Sequence, residues 1–111
     1  MPMILRFVQR YQPDKRAEFM ALEAAFARLE QRRPDLPQGR RSQPWSGKEP
    51  ANTLIWECRF ESLADLEKGL AALTALSGDP EHEALLRQQA PFMTDTWTEI
   101  LEVIECKMPN R

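Results

Sequence analysis

A cysteine flanked by an acid and a base, Glu57-Cys58-Arg59, is the first stretch of the sequence that could do chemistry. A cysteine reacts as its thiolate, which a partly exposed and electropositive setting stabilises. The surrounding residues 53–60, TLIWECRF, are rich in strand-forming types and alternate between apolar and charged side chains, which predicts a β-strand. Because adjacent residues of a strand point to opposite faces, we expect Cys58 to pack with the apolar set, away from Glu57 and Arg59. The pattern favours a packing role for Cys58 over a catalytic one.

Two other side chains are candidate catalytic residues. His82 is the only histidine, and imidazole is the side chain that titrates near neutral pH when unperturbed. As a general base it would have to face a pocket. Glu81 and Glu83 flank it at the start of a helix, however, which predicts a solvated position. Tyr11, the only tyrosine, could donate a hydrogen bond to a ligand, although closing the end of the first strand is the expected role.

Large aromatic side chains could line a pocket for a small, largely apolar molecule. Ligand sites are mostly apolar with a few polar groups, but packing in a core or an interface would explain the same residues. The candidate pocket residues are Phe19, Trp45, Trp56 and Trp97.

Composition and missing motifs exclude several classes of function. The net charge of −2 predicts no attraction to nucleic acid or to an anionic membrane surface, and the basic cluster at Gln31–Arg33, with Arg40 and Arg41, is predicted to form a solvated loop edge. No glycine-rich nucleotide motif, P-loop or H-E-x-x-H is present, so no cofactor is expected. One histidine and two distant cysteines, Cys58 and Cys106, give no zinc spacing. The N-terminal apolar run is short and interrupted by Arg6, which predicts a cytoplasmic protein without a signal peptide or membrane span.

The order of the predicted elements indicates the fold. Strands are predicted at residues 3–11, 39–46, 53–60 and 98–106. One helix begins at Pro13 and ends before Pro34; a second begins after a Ser62–Asp65 capping box, breaks at residues 77–80 and restarts at Pro80. The β-α-β-β-α-β order predicts one α+β domain, residues 1–111, with a ferredoxin-like fold: a four-stranded antiparallel sheet, both helical regions on one face, and the first strand between the third and fourth.

The face of the sheet without helices suggests a second copy of the chain. That face alternates aliphatic and charged residues on both central strands, and Arg6 and Arg10 could pair with Glu57, Glu99 or Glu102. A solvated face would carry fewer aliphatic side chains, so we expect a homodimer through this face; a monomer with a mixed face is the alternative. The predicted interface residues are Arg6, Arg10, Glu57 and Arg59.

Three segments resemble a known family. NTLIWECRFESLADLEKGLAAL, DPEHEALL and TEILEVIE are similar to the second half of dimeric α+β barrel proteins, and more narrowly to their NIPSNAP-like and antibiotic-biosynthesis-monooxygenase-like branch. The resemblance implies a homodimer with a pocket between the sheet and its helices. Haem-degrading relatives use an asparagine of the first strand with a tryptophan and a helical histidine. The first strand here has Gln9 and no asparagine, which disfavours haem degradation.

Three functions remain open at this stage. The leading one is a homodimer that binds a small, largely apolar or aromatic molecule between sheet and helices. The second is a cofactor-independent monooxygenase or isomerase acting on an aromatic or polyketide-like substrate. The third is a structural or interaction dimer without a ligand.

Overall fold

Four strands form one antiparallel sheet in the computed structural model, which describes residues 1–106. The sheet order is β2-β3-β1-β4, so β1 is central between β3 and β4. This order confirms the predicted ferredoxin-like topology. The strands are β1 (Met3–Tyr11), β2 (Arg40–Ser42), β3 (Thr53–Phe60) and β4 (Met93–Glu102). Residues 107–111 of the predicted domain lie outside the described part of the chain.

Three α-helices, each with a 3₁₀ turn at one or both ends, cover one face of the sheet. Proline at the first position of a helical segment costs no hydrogen bond, and the side chain of a preceding polar residue can accept from a free backbone N–H. Ser62 accepts the backbone N–H of Asp65 at 3.1 Å, and Asp79 accepts that of His82 at 2.9 Å, so the predicted cap and helix restart are confirmed. The helices are α1 (Arg16–Gln31), α2 (Leu63–Thr74) and α3 (Pro80–Gln89), and the 3₁₀ turns are Pro13–Lys15, Ala75–Gly78 and Ala90–Phe92.

The core lies between the sheet and the helices. Odd-numbered residues of β1 and even-numbered residues of β3 point to this layer. The register is consistent with this, because residues that pair across the two strands share a face, as Leu5 does with Cys58 and Phe7 with Trp56. Leu5, Leu54 and Leu66 are almost completely buried there. Burial of one such side chain contributes about 1.5–3 kcal/mol, so these three leucines are a main source of stability for the contact between the sheet and the helices.

Two strand boundaries differ from the prediction. The fourth strand begins at Met93 rather than Thr98 and ends at Glu102 rather than Cys106. It is an edge strand, largely exposed on both faces, so its first half lacks the alternation of a half-buried strand. The second strand covers only Arg40–Ser42 instead of residues 39–46, because Pro44 has no N–H to continue the ladder.

The register defines the ion pairs of the uncovered face. Arg6 lies opposite Glu57 on one side and Glu99 on the other, and its guanidinium bonds to them at 3.0 and 3.3 Å. Arg10 instead pairs with Glu49, in the loop before β3. Glu102 is opposite Met3 on the helix-covered face, so the suggested pairing of Glu102 with these arginines is wrong.

Candidate functional site

A cavity of about 200 Å³, partly open to solvent, lies between the helix-covered face of the sheet and the helices α1 and α3. Its lining is aromatic and aliphatic on one side and polar on the other. The apolar lining residues are Phe7, Phe26, Trp56 and Leu86. The polar lining residues are Gln9, Glu23, Glu30, Arg41, His82 and Gln89.

Trp56 forms much of the sheet side of the cavity. Its indole stacks on Phe7 with ring centroids 5.2 Å apart and an angle of 17° between the ring planes. The indole Nε1 donates to Glu30 Oε1 at 3.1 Å, which joins β3 to α1. Gly39 packs directly on the indole, and a Cβ atom at this position would overlap the ring. The position of this aromatic wall therefore depends on a residue without a side chain at 39.

Two carboxylates share one guanidinium at the polar side. Arg41 Nε donates to Glu23 Oε1 at 2.7 Å, and its terminal nitrogens bond to Glu30. Burial disfavours the charge on Arg41, but the hydrogen bonds to Glu30 and Glu23 outweigh this penalty and raise the pKa of the guanidinium. The prediction of a solvated loop edge is therefore wrong for Arg41, whose side chain is only 20% exposed. Its charge is held inside by partners on α1 that lie distant in sequence.

Gln89 and His82 line the cavity, and each has a buried polar atom without a hydrogen bond among residues 1–106. Gln89 is completely buried; its Nε2 donates to Glu23 Oε2 at 2.9 Å, while its Oε1 has no partner among residues 1–106. The His82 ring contacts Phe26 edge to face at 5.4 Å between centroids, and its buried Nδ1 has no hydrogen bond within the same residues. The solvated position predicted for His82 is wrong, because the first turn of α3 packs against α1.

The structure brings together only some of the candidates named from the sequence. Trp56 and His82 both line the cavity. Phe19 does not: it stacks on Tyr11 with centroids 4.5 Å apart in a separate part of the core. The Tyr11 hydroxyl is buried without a partner in the described chain, and Tyr11 lines another cavity of about 190 Å³, away from His82.

The other two tryptophans lie outside the helix-side layer. Trp97 is within β4 on the uncovered face, where its Nε1 donates to Glu99 Oε2 at 2.8 Å. The Arg10 guanidinium lies 5.2 Å from the centroid of the Trp97 ring. Trp45 is fully exposed in the loop after β2. Neither contributes to the cavity beside His82.

The polar lining was missed from the sequence, although part of its signal is present. Glu23 and Glu30 continue the stripe of Phe19 and Phe26 at spacings of four and three, so they share its inward face. Gln9 occupies an inward position of the alternating strand β1. A charged or amide residue in an apolar row of this kind indicates a buried polar site.

Metal sites and membrane spans are absent from the described chain. Within residues 1–106, no group of three histidine, cysteine or acidic side chains could hold a metal ion. No helix in the same range has both the length and the apolar character needed to cross a bilayer.

The order of the strands, the position of the helices and the cavity between them define a class of fold. It is the ferredoxin-like α+β fold found in NIPSNAP family proteins and in antibiotic-biosynthesis-monooxygenase-like proteins, as the sequence resemblance suggested. No protein-family model matches the chain, and no curated protein matches it in sequence.

Three solved structures illustrate the similarity. A NIPSNAP family protein from Agrobacterium tumefaciens superposes with a TM-score of 0.76 at 16% identity, over 95% of each chain. An uncharacterised NIPSNAP-like domain protein from Burkholderia xenovorans gives 0.69 at 21% identity, over 97% of this chain and 90% of that one. A protein from Caulobacter crescentus, named as a candidate antibiotic biosynthesis monooxygenase, gives 0.65 at 18% identity, over 94% and 91%. At these identities the likeness shows a shared fold alone.

Proposed function

We propose that the protein is a homodimer whose helix-side cavity binds a small, single-ring aromatic molecule. One observation carries this proposal: Gln89, a lining residue of a largely aromatic cavity, has a buried acceptor, Oε1, without a hydrogen bond among residues 1–106. A buried polar atom without a hydrogen bond costs about 1–3 kcal/mol, and a ligand that donates to it would remove this cost.

The volume of the cavity limits the size of the ligand. An apolar cavity of about 150 Å³ accommodates benzene, whereas drug-sized ligands occupy about 300 Å³ or more. The value of about 200 Å³ therefore fits one ring with one short polar substituent. The stacked pair Phe7 and Trp56 offers an aromatic wall for such a ring.

The dimer is proposed through the uncovered face of the sheet. Arg6 is already paired with Glu57 and Glu99 within one chain, so a face-to-face contact would bury paired charges. Leu101 is partly exposed on the same face. Two such sheets would pack about 10 Å apart, as sheets do in β-sandwiches.

A second candidate function is a cofactor-independent monooxygenase or isomerase, and the position of His82 favours it. The imidazole lines the cavity, and its buried Nδ1 has no hydrogen bond in the described residues. It could therefore accept a proton from a bound phenol or from an acidic C–H group. The named monooxygenase candidate from Caulobacter crescentus has the same fold.

Two-dimensional NMR titration with 4-methylphenol tests the binding proposal. We expect shifts of the Trp56 indole N–H and the Gln89 side-chain amide, which both border the cavity. Leu86→Trp, at a partly exposed lining position, should fill the space and abolish the shifts. Trp45→Ala, which removes a fully exposed ring, should leave them unchanged. No shifts at about 10 mM, or equal shifts in Leu86→Trp, would contradict ligand binding and favour a structural dimer.

A further inference from the structure

The charges that line the helix-side cavity do not cancel. Glu23 and Glu30 supply two negative charges, and Arg41 is the only guanidinium or ammonium group that residues 1–106 contribute to the lining. With His82 neutral, the cavity therefore carries a formal charge of −1. A further carboxylate, Glu83, lies 4.0 Å from His82 Nδ1. An excess charge in a partly desolvated site is unfavourable unless a counter-charge is present.

Hydrogen-bond acceptors are in excess at the same place. Arg41 uses its Nε on Glu23 and its terminal nitrogens on Glu30. Glu23 Oε2 receives only the amide of Gln89 in the described chain, although a carboxylate has about four acceptor positions. Since the Gln89 amide nitrogen must face this carboxylate to donate, its oxygen is left without a donor. Both Glu23 and Gln89 can accept further hydrogen bonds.

The apolar wall opposite is also compatible with a positive charge. Phe7, Phe26 and Trp56 contribute three aromatic rings to the lining, and ring faces attract ammonium groups. A carboxylate ligand would face two carboxylates and an unpartnered amide oxygen instead. An anionic molecule of the same size would therefore meet acceptors rather than donors at Glu23, Glu30 and Gln89 Oε1, and three of the five N–H donors of Arg41 are already engaged.

From this charge balance we propose that the cavity selects a cation: a single aromatic ring with a short alkylamine, its ammonium group donating to Glu23 and to Gln89 Oε1. The ammonium group has three donors and supplies the missing counter-charge. This inference rests on the proposed ligand-binding function and adds the charge class of the ligand.

Three probes of similar size and different charge test the inference: 2-phenylethylamine, 2-phenylethanol and phenylacetate. Binding is measured by NMR titration of the full chain at pH 8. We expect the amine to bind at least about tenfold more tightly than the alcohol, and the carboxylate more weakly than either. The preference for the amine should decrease as salt is raised from 50 to 300 mM, because the cavity is partly open and dissolved ions screen its charges.

Two variants separate the charge from the hydrogen bond. Glu23→Gln removes one carboxylate charge and should reduce the preference for amine over alcohol by about tenfold. Gln89→Met keeps most of the volume, removes the unpartnered oxygen and should weaken both donor probes by severalfold. Glu18→Gln is the matched control, because Glu18 is exposed on the same helix and should leave all three affinities unchanged. If Glu23→Gln does not fold, the probe series on the wild-type chain and on Gln89→Met still tests the inference.

The outcomes distinguish this inference from the function on which it rests. Tightest binding by the amine, lost in Glu23→Gln, supports it. Binding of the alcohol or the carboxylate with affinity equal to that of the amine overturns the charge selection while ligand binding stands. No binding by any probe at about 10 mM overturns both.

Discussion

Arg41 Nε lies 2.7 Å from Glu23 Oε1, and this bond ties the three-residue edge strand β2 to the middle of α1. A strand this short makes few ladder hydrogen bonds, so the ion pair is a main anchor of the sheet edge. The same pair holds the polar side of the cavity in place, because Glu23 also accepts from Gln89 of α3.

Replacing Arg41 should destabilise the fold strongly. Arg41→Met leaves the buried Glu23 carboxylate without its cation, and loss of one partner of a buried pair costs about 3 kcal/mol or more. Urea denaturation monitored by circular dichroism measures the loss. Arg28→Met, at an exposed position of α1, is the control and should change stability by less than about 0.5 kcal/mol. Adding Glu23→Gln to Arg41→Met should recover part of the loss; equal stability of Arg41→Met and wild type would refute an anchoring role.

Position 39 tests the close packing on Trp56. A Cβ atom in Gly39→Ala would overlap the indole, so the ring must shift, with a loss of about 1–3 kcal/mol and a change in tryptophan emission. Gly78→Ala is the matched control, since nothing lies near the Cβ position there and its φ is not positive. That change should be neutral or slightly stabilising. A Gly39→Ala variant with unaltered emission and stability would mean that the indole is not seated against residue 39.

The two cysteines should differ in reactivity. Burial raises the pKa of the Cys58 thiol, whereas Cys106 is exposed. The thiolate is the reactive form, so iodoacetamide at pH 7.5 should label Cys106 at least about tenfold faster. Because the Cys58 pKa is raised, its labelling should continue to accelerate at pH values where an ordinary thiol is already ionised. Single-cysteine variants Cys58→Ser and Cys106→Ser allow each rate to be followed by mass spectrometry. Equal rates would contradict the burial of Cys58 on the helix-covered face.

Charge reversal at residue 6 tests the proposed dimer. Sedimentation of the wild type should give twice the 12.9 kDa of the chain. Arg6→Glu puts a third carboxylate beside Glu57 and Glu99 on the uncovered face and should weaken association at least about tenfold. Arg28→Glu, on the helical layer, should not change it. A wild-type mass near 12.9 kDa refutes the dimer, and unaltered association of Arg6→Glu refutes the contribution of this cluster.

The central strands could be predicted because their side chains face two different environments. Residues 3–11 and 53–60 alternate clearly, and both boundaries agree with the structure. The first half of β4 is exposed on both faces, so its sequence carries no such contrast. Backbone pairing with β1 makes it a strand, and this pairing is a tertiary contact that local sequence does not encode.

The site was less predictable because its charges depend on partners distant in sequence. Glu23 is buried next to Arg41 and Gln89, from two other elements. The helical spacing indicated an inward position for Glu23, but a lone inward carboxylate would be costly, and only the folded chain supplies its cation. Trp97 was assigned to the pocket, but its strand begins earlier than predicted, at Met93. The ring therefore lies on the uncovered face of the sheet.

The restart of the helix at Asp79 makes α3 a separate wall of the cavity. The sheet and α1 form the rest of the lining, whereas α3 is a helix of ten residues that begins after the Asp79 cap and includes His82, Leu86 and Gln89. Asp79 also pairs with Arg33 just beyond α1, so this short helix has its own attachment. Substitutions at a partly exposed lining position of α3, such as Leu86, can therefore alter the shape of the cavity without disturbing the β-sheet. Sequence changes confined to α3 would thus change which molecules the proposed site accepts while the sheet stays the same.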